Sequence, residues 1–171
     1  SGNDAPVFSG LTASSGASED FYPPVGTWST SVSSIFYGGG IIGSVVCLGS
    51  IIKDCSNSSK LAFHTGGDLS QIMGGGIIGA YTPSGLNIFS LSNLTNNGPL
   101  TVDGASKCAA DLSKRNYFAG IAGRIYGTDA SEATVTGCVN NGAITFNPGS
   151  ESLSERTYIG GLFGTDRKSV V

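Results

Sequence analysis

Tyr37-Gly-Gly-Gly-Ile-Ile-Gly43 recurs as Met73-Gly-Gly-Gly-Ile-Ile-Gly79, Tyr117-Phe-Ala-Gly-Ile-Ala-Gly123 and Tyr158-Ile-Gly-Gly-Leu-Phe-Gly164. The four stretches align without gaps, and their central glycines Gly40, Gly76, Gly120 and Gly161 stand 36, 44 and 41 residues apart. After each of the first three, a second block follows: Cys55-Ser-Asn-Ser-Ser-Lys-Leu-Ala-Phe63, Leu94-Thr-Asn-Asn-Gly-Pro-Leu-Thr-Val102 and Cys138-Val-Asn-Asn-Gly-Ala-Ile-Thr-Phe146. A third station, Val32-Ser33, Leu69-Ser70, Leu112-Ser113 and Leu153-Ser154, precedes each glycine block. Self-similarity at this period marks a repeat architecture.

Within the unit, Ile51-Ile-Lys-Asp-Cys55, Ala133-Thr-Val-Thr-Gly-Cys138 and Ala143-Ile-Thr-Phe146 alternate apolar and polar residues, the pattern of a half-buried strand. Helical spacing is confined to a short turn expected within residues 105–115. Three short strands per unit leave a propeller or a solenoid. A propeller blade needs four strands and a ring of four or more blades, which three complete units cannot close. A solenoid needs only that each coil stack on the next at the strand spacing of about 4.8 Å. The expected fold is therefore all-β: a right-handed parallel β-helix of about three complete coils, with handedness following the rule for parallel crossovers. The whole of residues 1–171 forms one domain in this reading. Residues 1–36 are a partial coil and an irregular N-terminal segment, 37–72, 73–116 and 117–157 are coils, and 158–171 open a partial fourth.

Stacked coils turn matched positions into ladders. Ile41, Ile77, Ile121 and Leu162 are expected as one inward column, Tyr37, Met73, Tyr117 and Tyr158 as a second, and Leu61, Leu100 and Ile144 as a third. Cys55, Leu94 and Cys138 share a station where cysteine serves as a small hydrophobe. Asn57, Asn96 and Asn140 would stack their amides, bonding to one another and to the backbone. The block glycines are expected at corners, where positive φ or a close backbone approach excludes a Cβ.

Composition agrees with a folded, weakly charged chain. There are 27 glycines in 171 residues, 39% hydrophobic residues, 12% charged residues and a net charge of −3. The glycines follow no three-residue rule, which excludes collagen. A mildly acidic chain lacking a Lys/Arg cluster is a poor match for nucleic acid or an anionic membrane surface. Its longest apolar runs fall far short of the ~20 residues that a spanning helix needs, so membrane insertion is not expected.

Gly-Ile-Ile-Gly, an Ile-x-x-Cys strand, then Asn-x-Gly and a short apolar strand resemble the GLUG repeat of bacterial surface proteins, including Bacteroides-type secreted proteins and repeat regions of immunoglobulin A1 peptidases. The resemblance is clearest over residues 120–146. Copies are weaker where Asn57-Ser-Ser59 replaces Asn-x-Gly and Leu94 replaces cysteine. It implies a spacer or adhesive surface rather than a catalytic centre, and no peptidase chemistry carries over, because His64 is the sole histidine. Asn3-Asp-Ala-Pro-Val-Phe8 fits the Asn-Asn-Gly-x-Ile-x-Phe station, and residues 161–164 open a further coil. These ends suggest a fragment of a longer surface protein or a chain that associates end to end.

Several features invite chemistry. Gly38-Gly-Gly40-Ile-Ile-Gly43 and Gly74-Gly-Gly76-Ile-Ile-Gly79 satisfy G-x-G-x-x-G, but no helix follows either to receive a pyrophosphate, and no cofactor is expected. Asp68 and Asp111 share the station before Leu-Ser, with Glu151 close by. They are weak candidates for a Ca²⁺ site or for the paired carboxylates of a polysaccharide lyase or hydrolase. No Arg, Lys or His converges on them in sequence, which favours solvated loop groups. Phe21, Tyr22 and Trp28 cluster in the longest irregular segment, and Tyr81 and Tyr126 follow the glycine block in successive coils. Flat aromatic faces on a rigid scaffold suit sugar rings, whereas Trp28 is better suited to a cap over the solenoid end, because an uncovered apolar coil end would be unstable. The four cysteines do not dictate a pairing: Cys55 and Cys138 lie two coils apart, too far to bridge, while Cys47 with Cys55, or Cys108 with a neighbour, stays open. The expected function is non-catalytic: a secreted or bacterial surface-exposed, adhesin-like module that presents loops to glycans or host surface proteins. Its alternatives are a fragment of a β-helix lyase or hydrolase and a purely structural spacer.

Overall fold

A computed structural model describes residues 7–13, 18–21, 35–47, 50–64, 71–83, 89–103, 115–126, 133–147 and 157–166, and among these every regular element is a β-strand. The first pass contains β1 (Val7–Ser9), β2 (Thr12–Ala13), β3 (Ser18–Phe21), β4 (Ile35–Gly39) and β5 (Ile42–Cys47). The second contains β6 (Ser50–Lys53), β7 (Ser56–Asn57), β8 (Lys60–His64), β9 (Gln71–Gly75) and β10 (Ile78–Pro83). In the third are β11 (Phe89–Ser92), β12 (Thr95–Asn96), β13 (Leu100–Asp103), β14 (Asn116–Ala119) and β15 (Ala122–Ile125). The last holds β16 (Ala133–Thr136), β17 (Val139–Asn140), β18 (Ile144–Asn147), β19 (Thr157–Gly160) and β20 (Phe163–Asp166).

Each strand pairs in parallel with the one five places further along the chain. The result is five four-stranded sheets, numbered one to five by their first strands β1 to β5. The unit thus has five strands rather than the expected three, and residues 1–36, expected as a partial coil and an irregular segment, supply β1, β2, β3 and the start of β4. Two causes hid these strands. Two-residue strands such as Thr95–Asn96 are too short to show alternation, and the glycine block is itself two strands meeting at a corner. The short helical turn expected within residues 105–115 lies, but for Arg115, outside the described residues, as do all four hydrophobic-Ser pairs.

The inward columns divide the interior in two. Ile52, Leu91, Ile77, Ile121 and Tyr81 belong to one apolar cluster, between the first and fifth sheets. Leu61, Phe63, Leu100, Val102, Ile72 and Phe118 form another, between the third and fourth. Between them runs the expected asparagine ladder. The Asn57 amide donates to Asn96 Oδ1 at 2.8 Å, and Asn96 donates to Asn140 Oδ1 at 2.8 Å. Each amide also donates to a backbone carbonyl two residues on: Ser59, Gly98 and Gly142. Asn57 and Asn96 are fully buried, so this network meets hydrogen-bonding needs that water would otherwise have to meet.

The ladder also explains the glycine block. A Cβ on Gly40 would lie 2.8 Å from the Asn57 amide carbon, and one on Gly76 would lie 2.5 Å from that of Asn96; Gly120 meets Asn140 in the same way. The two sequence blocks are therefore opposite sides of one contact that pinches the cross-section. Gly40, Gly76 and Gly120 are glycine because of close approach, and positive φ is found elsewhere. Gly10, Asp54, Asn93 and Gly137 take φ of 70°, 55°, 53° and 63°. All four follow register-matched residues, Ser9, Lys53, Ser92 and Thr136, at the corner after the first sheet. The types present, Gly, Asp and Asn, are those that tolerate the left-handed region.

Candidate functional site

The pinch at the glycine block makes a concave corner on the outside, between the fourth and fifth sheets. In β14, Phe118 packs inward on Phe63 with ring centroids 5.5 Å apart, so by alternation its neighbour Tyr117 points outward. Met73 and Tyr158 are its register partners on the adjacent strands, with Tyr37 one strand further. The expected column is real, but it lines this outer corner rather than the interior. It forms a third cluster, in which Met73, Ala80 and Tyr117 are buried and Tyr37 and Tyr126 pack against them.

Arg124 completes the corner. Its guanidinium carbon lies 3.8 Å from the Tyr126 ring centroid and 4.5 Å from that of Tyr117. Tyr117 stacks on Tyr158 with centroids 5.3 Å apart and planes 17° from parallel, and Arg115 lies 5.9 Å over Tyr158. A string of cations and aromatic faces thus follows the outer surface: Arg115, Tyr158, Tyr117, Arg124, Tyr126. Such cation–π contacts contribute about 0.5–2 kcal/mol each, more as water is excluded. The Tyr126 hydroxyl donates to Met73 Sδ at 3.6 Å. Burial pushes the Tyr126 phenol above its ordinary value of 10.0; Arg124 opposes the rise, and Tyr37 and Tyr117 add to it. Tyr158 is exposed here and Tyr126 and Arg124 are half-buried, whereas Tyr117 is buried beneath its neighbours, so the surface offered to a ligand is that of Tyr158, Tyr126 and Arg124. Among the described residues, no group of three His, Cys, Asp or Glu side chains could hold a metal ion.

Of the aromatic candidates from sequence, Tyr126 belongs to this corner. Tyr81 does not: it is fully buried in the cluster between the first and fifth sheets and has no face for a ligand. The correction is one of register. Tyr81 pairs with Ile125, one residue before Tyr126, and a one-residue offset exchanges the faces of a strand. The gap-free alignment of Gly79 with Gly123 already placed Tyr81 opposite Ile125. Phe21 sits in β3 in register with Phe63, while Tyr22 and Trp28 lie outside the described residues. Asp68, Asp111 and Glu151 also fall outside them. Arg115, Arg124, Tyr117 and Tyr158 were missed as site residues; the signal for Arg124 was a lone charge directly after a repeat glycine.

Cys55 and Cys138 are free thiols that pack with Leu94 in the same interior cluster, as their shared station predicts. The Cys55 thiol donates to the Lys53 carbonyl at 3.1 Å. Burial pushes the Cys138 thiol above its ordinary 9.0, opposed by a backbone hydrogen bond at Leu94. The side chain of Cys47 and the whole of Cys108 lie outside what the structure describes. Among the described residues, no helix is long and apolar enough to cross a membrane. In comparisons with known proteins, no family model, no curated protein and no solved structure matches the chain.

Proposed function

We propose that the chain is a right-handed parallel β-helix module of a secreted or surface-exposed bacterial protein, non-catalytic and adhesin-like, that binds glycans or host surface proteins. Support for the winding comes from five strands per pass, each in a different parallel sheet, joined by connections to which the right-handed crossover rule applies. Support for the surface role comes from the resemblance of the glycine and Asn-x-Gly blocks to GLUG repeats. The observation that carries the binding reading is the aromatic corner: exposed Tyr158 on β19 and half-buried Tyr126, directly after β15, held around buried Tyr117 on a hydrogen-bonded scaffold. Aromatic faces held on rigid elements bind ring-shaped ligands with little ordering cost.

A glycan array and a host-protein pull-down with the purified chain test this reading. Binding that is lost in Tyr126→Ala while the fold persists supports it; no ligand in either screen makes the chain a spacer. Self-association belongs to the same proposal. Val7 in the first pass and Val135, Val139 and Ile159 in the last are exposed, on strands paired on one side only among the described residues, and exposed Leu11 lies between β1 and β2. Light scattering that finds a strict monomer at high concentration removes self-association alone.

A further inference from the structure

We infer that the last pass is a docking face for a coil of another β-solenoid chain of this repeat type, one that brings an asparagine amide to the ladder station of the second sheet. The inference rests on the stacking of the passes and goes beyond glycan or host-protein binding, so the screens for those ligands leave it untouched. Asn57 and Asn96 each use both amide hydrogens, one on a carbonyl of their own pass and one on the asparagine of the next. Asn140 donates to the Gly142 carbonyl, and among the described residues its other amide hydrogen has no acceptor. Gly161 is unfilled in the same way. A Cβ on Gly40, Gly76 or Gly120 would strike an asparagine amide of the following pass, whereas nothing lies within 4 Å of one on Gly161. Glycine has no steric reason to stand there until the amide of a further pass covers it. The Gly120 and Ile121 N–H groups donate to the Gly161 and Leu162 carbonyls, while the matching N–H groups of Gly161 and Leu162 have no acceptor among the described residues.

The rest of the last pass fits the same occupant. Val135 and Leu162 continue columns in which Leu91 and Ile121 are fully buried, yet they are 40% and 37% exposed. Asp166 is the only charged side chain among the described residues of this pass, so its edge lacks the charges that ordinarily keep unpaired strands apart. The first pass is built differently. Ala13 stands in register with Asn57 and Glu19 with Leu61, so two stations of the repeat are broken there, and Asp20 adds a second acid to β3. A second copy of this chain, stacked head to tail, would set Ala13 over Asn140 and Gly161 and leave the amide donor buried without a partner. It would also bring Glu19 to the column of Leu61, Leu100 and Ile144. The partner is therefore a chain whose first coil keeps asparagine and an apolar residue at these two stations.

The test uses the full chain with a rebuilt first pass as the probe, and measures association by sedimentation velocity across a concentration series. Wild type, Ala13→Asn/Glu19→Leu and Ala13→Asn/Glu19→Leu/Gly161→Ala are compared, with thermal unfolding confirming the fold. The rebuilt pass supplies the asparagine and the apolar residue, and a joint between unlike faces does not close on itself. The expected product is an open row of copies that lengthens with concentration. Association of Ala13→Asn/Glu19→Leu should be at least about tenfold tighter than that of wild type. Adding Gly161→Ala should return it to the wild-type level, because a methyl group there meets the incoming amide while touching nothing in the lone chain. Should the double variant fail to fold, Ala13→Asn with and without Gly161→Ala decides. Equal association of wild type and the rebuilt chain overturns the inference: if both are tight, a second copy is the occupant, and if neither associates, the last pass takes no coil. Association that Gly161→Ala leaves unaffected overturns it as well.

Discussion

At the scale of the residue, the glycine and asparagine blocks meet in one recurring contact, an asparagine amide against a glycine that has no room for a side chain. A methyl group at Gly76 would strike the Gly120 carbonyl and the Asn96 amide, and neither is the free end of a flexible chain. Gly76→Ala is therefore expected to lower stability by about 3 kcal/mol. Gly161→Ala is the control: it stands at the same repeat position, yet nothing lies within 4 Å of where its Cβ would be, and its melting temperature should stay near that of wild type. Asn96→Ala leaves the Asn57 amide and the Asn140 carbonyl oxygen without their ladder partner, a loss of about 2–4 kcal/mol in denaturant titration. Asn57, Asn96 and Asn140 were legible as a ladder because they align. That their partners are Gly40, Gly76 and Gly120 was not, since the two blocks are separated by strands that bring them together only on folding.

Elements follow from corners. The corner after the first sheet uses the left-handed region in all four passes, and in two of them a side chain spans the corners: the Asn93 amide donates to Asp54 Oδ1 at 3.0 Å. Asn93→Ala loses that bond and the tolerance for positive φ, so it should cost about 1 kcal/mol, whereas Asn93→Gly should cost less. Equilibrium unfolding of the two variants checks the order. Sequence could not single out this column, because Gly10, Asp54, Asn93 and Gly137 share a conformation and no residue type. Register has the same force in the fifth sheet, where it sends Tyr81 inward and leaves Tyr126 outside. Tyr81→Ala should destabilise by about 3–5 kcal/mol as a core truncation, while Tyr126→Ala should act mainly on ligand binding.

Across the whole molecule, few charges and many backbone ladders make alkaline pH a sensitive probe. The Tyr126 and Cys138 pKa values are both raised on folding, so their neutral forms favour the folded state. Their contribution is complete below the ordinary values of 9.0 for Cys138 and 10.0 for Tyr126, and is lost as pH rises through the higher folded values. The melting temperature should therefore fall above about pH 9, and Tyr126→Phe should flatten the steeper part of the fall. By itself the sequence determined the repeat, the parallel stacking of like positions, the buried cysteine station and the amide ladder, because each depends on a residue type recurring at matched positions. Only the tertiary structure decided that a unit has five strands, that glycine is required by an amide across the interior, and that the tyrosine column lines an outer corner with Arg124. Those outcomes depend on which faces meet when the chain closes on itself, and spacing along one chain does not encode that until every corner and register is fixed.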